Sequence, residues 1–299
     1  MKRTIFTGAG VAIVTPFDEN NKINFAELGR IIDNQIAEGT DAIVITGTTG
    51  ESATLSDEEH KAAIKFAVEH TNKRIPVVAG TGSNDTDYAI QLSQYAEKVG
   101  ADGLLLVTPY YNKCTQNGLV AHYMKIADSV SIPMIIYNVP SRTGVNVRPE
   151  TYAKLAQHKN IVAAKEASGD LSAILRTRRL CGDDLTIYSG NDDQIIPILS
   201  IGGRGVISVL SNVAPKDTHL ICQLYFEGKV EAAAKLQIDY SDLVDALFCE
   251  VNPIPVKAAM NLLGWNVGAV RMPLSEIEPK NLEVVRAALA NHKLLEVAK

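Results

Sequence analysis

The chain has 299 residues, of which 46% are hydrophobic and 21% charged, and a net charge of −5. It is too apolar for a disordered chain and long enough to bury roughly three-quarters of its extended surface, and it lacks the basic surplus of a dedicated nucleic-acid binder. Cys114, Cys181, Cys222 and Cys249 form no CxxC pair and read as free thiols, while six scattered histidines lack the spacing of a local metal site.

Lys2 and Arg3 precede an uncharged run from Thr4 to Phe17, superficially like a secretory signal. Thr7, Gly8, Gly10, Thr15 and Pro16 interrupt it, so it reads as a first strand and loop. No other stretch approaches the about 18 apolar residues of a spanning helix. A soluble cytoplasmic protein with no membrane partner is expected.

Short β-branched runs then recur along the chain, at Val11–Thr15, Ala42–Thr46, Ile75–Ala79 and Gly103–Val107. They continue at Met134–Tyr137, Ile161–Lys165, Leu185–Tyr188 and Gly205–Val209. Each is apolar throughout, as strands covered on both faces of a parallel sheet must be. Amphipathic helices fill the gaps. Leu28, Ile31, Ile32 and Ile36 share one face, with Gly39 placed to stop the helix. Ser56 and Glu59 form a capping box for a helix through Ala67, and Asp85–Lys98 ends at Gly100. Pro149 suits a first helical turn, and Asp170 suits a cap.

Repeated strand–helix units fit either a doubly wound sheet or an α/β (β/α)8 TIM barrel, and the count of eight favours the barrel. After Gly228 the strand signals stop. Lys229–Glu250, Pro253–Leu263 and Pro279–Leu295 read as further helices, so residues 1–228 are expected to form the barrel and 229–299 a C-terminal helical appendage.

Such barrels work at the carboxyl ends of their strands. There the chain places Gly47-Thr48-Thr49-Gly50-Glu51-Ser52, Tyr110-Tyr111-Asn112, Tyr137 with Arg142 beyond it, Lys165-Glu166-Ala167-Ser168, and Gly190-Asn191-Asp192. Lys165 ends an apolar run, and burial would lower its pKa and make its amine nucleophilic. It reads as a Schiff-base lysine, or else as a strand-end lysine that reaches solvent or pairs with a carboxylate. Tyr137, Thr48 and Tyr111 read as a hydroxyl relay for imine chemistry, or as structural hydroxyls. The Gly47–Gly50 turn lacks the lysine of a phosphate loop but suits a carboxylate. Arg142 reads either as a carboxylate fork or as half of a structural ion pair. The acidic loop after the seventh strand disfavours a phosphorylated substrate, and Gly8-Ala9-Gly10 is too short a signal for a dinucleotide.

These motifs, with Tyr137-Asn138-Val139-Pro140-Ser141-Arg142-Thr143-Gly144 and Asn252-Pro253-Ile254-Pro255-Val256-Lys257, resemble the pyruvate-dependent class I aldolase family over nearly the whole chain. The resemblance implies that Lys165 forms an imine with pyruvate and that Tyr137, Thr48 and Tyr111 relay protons, Tyr111 in a neighbouring subunit. It implies that Thr48 and Thr49 hold the pyruvate carboxylate, that the backbone of Gly190 and Ile207 lines its pocket, and that Arg142, at the entrance, receives the carboxylate of L-aspartate 4-semialdehyde. The implied product is 4-hydroxy-tetrahydrodipicolinate, on the route to diaminopimelate and lysine. No metal or organic cofactor is implied, and the implied assembly is a homotetramer built as a dimer of dimers. The nearest alternative in the family is the N-acetylneuraminate lyase branch, which must leave room where Arg142 stands; outside it, a non-catalytic pyruvate-binding barrel. Ser52, Ala53, His60, Asn84 and Tyr110 match an allosteric lysine pocket of the family. Asp57 and Tyr88 depart from it, Asp57 standing in place of an imidazole and Tyr88 in place of an acid that binds the lysine amine. Weak or absent lysine inhibition is therefore expected.

Overall fold

A computed structural model describes residues 2–295. Eight parallel strands, β1 (Gly8–Ala12), β2 (Ala42–Ile45), β3 (Val77–Gly80), β4 (Gly103–Val107), β5 (Met134–Asn138), β6 (Ile161–Glu166), β7 (Thr186–Ser189) and β8 (Gly205–Ser208), close in sequence order into a barrel. Helices lie between successive strands, so the sheet is covered outside as well as in. The (β/α)8 barrel is thus the observed architecture, and the doubly wound alternative falls because β8 pairs with β1.

Two apolar clusters explain why the strand runs do not alternate with polar residues. One fills the barrel with Ala12, Val44, Val78, Leu105, Ile135, Tyr137, Ala163 and Ile207. The other packs the outward residues of the same strands, such as Val11, Ile43, Leu104 and Ile136, against the helices. At the amino end, Phe6 stacks on Tyr188 at 4.4 Å and accepts its hydroxyl proton through the Phe6 carbonyl at 2.7 Å. That end is plugged.

Local signals place the helices closely. Ser56 and Glu59 make the capping box that opens Asp57–Thr71, Asp85 caps Thr86–Val99, and Gly100 stops it in the left-handed region. Pro149 starts its helix, and Asp170 caps Leu171–Cys181. All four cysteines are free. Among the described residues no helix is long and apolar enough to cross a membrane.

Several boundaries differ from the expectation: the helix expected through Ala67 runs on to Thr71, and β3 starts at Val77 rather than Ile75. The first strand begins three residues earlier, at Gly8, and ends at Ala12 rather than Thr15. Its start is glycine-rich because neighbours press against the backbone: a Cβ on Gly8 would lie 2.0 Å from the Asp41 carboxylate, and one on Gly10 2.9 Å from the Phe6 ring. Burial continues through Val14 after the ladder ends, so apolarity alone overran the strand. In the tail, Lys229–Glu250 is two helices, Val230–Asp239 and Ser241–Leu247, divided at Tyr240. Tyr240 turns there to donate its hydroxyl to Asp217 at 2.6 Å and to stack on His292 at 4.3 Å. The helices Ile254–Leu262 and Pro279–Asn291 follow. Residues 296–299 of the expected appendage lie outside the described residues.

Candidate active site

A cavity of about 200 Å³ opens at the carboxyl ends of the strands. Its wall contains Gly47, Thr48 and Thr49 after β2, Tyr137 on β5, Arg142 beyond it, Lys165 on β6 and Gly190 after β7. Strand pairing accounts for the convergence. Tyr137 and Lys165 are register partners, and strand alternation turns both to the same side, into the barrel.

Lys165 is 6% exposed, with its Nζ 4.2 Å from the centroid of the Tyr137 ring. Among the described residues no carboxylate lies within 4.0 Å of it, so neither the snorkelling nor the ion-paired alternative describes it. Burial pushes its pKa down to about 7; the Asp192 carboxylate opposes the shift, and the Arg142 charge adds to it. Burial likewise raises the Tyr137 phenol above its usual range, against the pull of Arg142 and of the Thr48 hydroxyl. At neutral pH Tyr137 therefore holds its proton while a substantial share of Lys165 has lost one.

Gly190 is where the lysine stem needs space. A Cβ there would meet Ala167 Cβ at 2.8 Å, the Glu166 carbonyl at 3.0 Å and Lys165 Cε at 3.1 Å. Thr49 is buried, while Thr48 is half-buried beside the Tyr137 phenol. Arg142 stands exposed on the short helix Pro140–Thr143 and donates at 3.4 Å to the Asn252 carbonyl. Among the described residues it has no ion pair, which removes its structural alternative.

The side chains of Tyr111 and Ile207 are not on the wall of this cavity. Tyr111 is 91% exposed, adopts φ 68°, and does not line the cavity of its own chain. The Ile207 side chain belongs to the buried barrel filling, and Val209, two residues farther toward the carboxyl end, contributes to the cavity wall. A second cavity of about 450 Å³ adjoins the first, sharing Thr48, Val139, Arg142 and Asn252. Ser52, Ala53, His60, Tyr88 and Tyr110 line it. Asn84 is not part of that wall but donates to the Tyr110 carbonyl at 3.2 Å, and Asp57 pairs with Lys61 at 2.6 Å.

Sequence reasoning passed over three contributors. Asn252 donates its amide to Thr49 Oγ1 at 2.9 Å, and Lys257 pairs with Glu51 at 2.9 Å. Both occur in the tail motif, but no spacing rule links them to residues about 200 positions earlier. Asp192 was visible only as part of an acidic loop. It is 3% exposed, and one oxygen accepts the Val209 and Leu210 N–H groups at 3.0 Å each.

Residues 5–292 match the model of the dihydrodipicolinate synthetase family. The chain belongs to that family. It is 53% identical over 289 residues to 4-hydroxy-tetrahydrodipicolinate synthase of Clostridium novyi, covering 97% of each chain. It is also 53% identical over 295 residues to the synthase of the same name from Acetivibrio thermocellus, covering 99% of this chain and all of that one. The crystal structure of dihydrodipicolinate synthase from Aquifex aeolicus superposes with a TM-score of 0.95 at 43% identity, covering 97% of this chain and 99% of the other.

Proposed function

We propose that this dihydrodipicolinate synthetase family member condenses pyruvate with L-aspartate 4-semialdehyde through an imine on Lys165, giving 4-hydroxy-tetrahydrodipicolinate for diaminopimelate and lysine biosynthesis. The observation that carries the reading is Lys165 itself: a buried amine held down to about 7, unpaired by carboxylate among the described residues, and facing a cavity of about 200 Å³. That volume is below the about 300–1,000 Å³ of pockets for drug-sized ligands and suits small acids. A polyhydroxylated chain would need the space beside Arg142.

Neutral Lys165 attacks the keto carbon of pyruvate, whose carboxylate lies against Thr48 and Thr49. Tyr137, protonated because it is buried, gives its proton to the departing hydroxyl, and water leaves as the imine forms. The Thr48 hydroxyl passes a proton to the phenol as it takes one up, along the relay, from solvent. The iminium then draws electrons, the methyl carbon loses a proton to solvent through the Tyr137–Thr48 relay, and an enamine results. Its carbon attacks the aldehyde, whose oxygen takes up a proton, while Arg142 holds the semialdehyde carboxylate. The substrate amine finally adds to the imine carbon and expels Lys165 as the ring closes. The lysine imine is itself the electron sink, so this sequence calls on no metal or organic cofactor.

Tyr111 completes the relay in a neighbouring subunit, to which its exposure leaves it free to reach. The assembly in this reading is a homotetramer, a dimer of dimers, in the cytoplasm. Residues 229–299 serve as an appendage of the barrel of residues 1–228. The cavity lined by Ser52, Ala53, His60, Tyr88 and Tyr110, near Asn84 and Asp57, stands where the family's allosteric lysine pocket lies, altered at Asp57 and Tyr88.

Borohydride reduction in the presence of pyruvate tests the reading. The expected result is a reduced pyruvate adduct located on Lys165 by peptide mapping and absent from folded Lys165→Ala. A folded parent protein without the adduct would overturn it.

A further inference from the structure

The loop from Gly47 to Ser52 is held from the far end of the chain. Glu51 enters it in the left-handed region, at φ 55°, with a side chain only 1% exposed. One carboxylate oxygen accepts from Lys257 Nζ at 2.9 Å, and the other accepts the Arg271 backbone N–H at 2.8 Å. Lys257 is 1% exposed, and its remaining protons go to the Thr15 carbonyl at 3.2 Å and the Ala269 carbonyl at 2.7 Å. All three of its donors are used. The ammonium also sits 4.3 Å from the Phe17 ring centroid.

The neighbouring residues are pinned too. Thr49 Oγ1 accepts from Asn252 at 2.9 Å, and the Gly50 carbonyl accepts from Thr15 Oγ1 at 2.7 Å. Thr48 is left to face Tyr137. A buried ion pair adds little stability compared with an apolar pair of similar volume, so holding the fold together is a weak reason for this one. What it does supply is geometry. It joins the β1 exit, the β2 loop, the helix Ile254–Leu262 and the Ala269–Arg271 segment at one ammonium.

We infer that Lys257, acting through Glu51, is a positioning residue that sets the Thr48–Thr49 loop at the distance from Lys165 that a 2-keto acid requires. The inference rests on the reading of Thr48 and Thr49 as the carboxylate site. On this view the C-terminal helices are part of the substrate site without touching substrate.

The test compares the parent with the double substitution Glu51→Gln/Lys257→Met, which removes both charges and keeps the volumes close. Each is titrated with pyruvate, trapped with borohydride, and melted thermally. The pyruvate concentration for half-maximal labelling of Lys165 should rise about tenfold, the equivalent of one misplaced hydrogen bond, while labelling at saturation stays complete. A purely structural role would lower the melting temperature and leave that concentration unchanged. An unchanged concentration in the folded double variant overturns the inference. Should that variant not fold, Glu51→Asp, which keeps the charge and shortens the reach, is titrated instead. A smaller rise supports the inference, and no rise overturns it. A parent that traps no pyruvate overturns the reading of the site, and the inference with it.

Discussion

Tyr137 and Lys165 stand side by side in the β5–β6 ladder, with the amine 4.2 Å from the phenol ring centroid. The next register pair, Asn138 and Glu166, faces the other way. Asn138 Nδ2 donates to Glu166 at 3.2 Å, and Tyr152 and Ser168 donate their hydroxyls to the same carboxylate at 2.6 and 2.9 Å. One register therefore fixes two things at once. The outward pair locks the strand tips, and the inward pair is presented to the cavity.

Because burial holds Lys165 down to about 7, its neutral, attacking form should grow as pH rises through that value. The rate of imine formation with pyruvate, followed by rapid-quench trapping, should increase from pH 6 to 8 and level off above. Linkage gives a second sign. The unfolded lysine, near 10.5, binds a proton that the folded one does not, so the stability contributed by this site falls as pH drops from about 10.5 to about 7 and stays flat below. A pH-independent imine rate would contradict the assignment of Lys165 as nucleophile.

Arg142 has no ion pair among the described residues and stands at the cavity mouth, so its loss should affect the second substrate selectively. For Arg142→Ala, losing a charge-assisted contact of about 1.5–3 kcal/mol should raise KM for L-aspartate 4-semialdehyde about tenfold to a hundredfold, with pyruvate KM within about twofold. Steady-state kinetics in both substrates measures this. Equal losses for the two would place Arg142 in another role.

Gly190→Ala should crowd Lys165 Cε, which lies 3.1 Å from the added carbon. The Glu166 carbonyl at 3.0 Å cannot yield without disturbing the β6–β7 ladder. Overpacking of this kind costs about 1–3 kcal/mol. A lower melting point together with slowed adduct formation on Lys165 is the expected outcome. Parental trapping kinetics would show that the amine does not pass this glycine.

Lysine inhibition should be weak or absent. Tyr88 places a phenol, not an acid, on the second cavity, and the nearby Asp57 is already engaged by Lys61 at 2.6 Å. A missing charge-assisted contact weakens binding of a lysine amine by about 1.5–3 kcal/mol. Activity assayed against L-lysine tests this, and half-inhibition at sub-millimolar concentration would refute it.

The sequence by itself determined what local pattern determines. Eight doubly buried apolar runs, the caps at Ser56, Asp85 and Asp170, and the strand-end positions of Tyr137 and Lys165 all follow from periodicity and capping chemistry, because each is decided within a few residues. Tertiary structure decided the rest. Where β1 starts depends on its ladder with β8, nearly 200 residues away. Val209 reaches the cavity wall while the Ile207 side chain stays in the barrel filling, a division set by the depth of each position in the closed barrel. Asn252 and Lys257 reach Thr49 and Glu51 only after the tail has packed across the barrel mouth. Such contacts depend on the closure of the whole chain, and the tail motif that holds both residues does not name their partners.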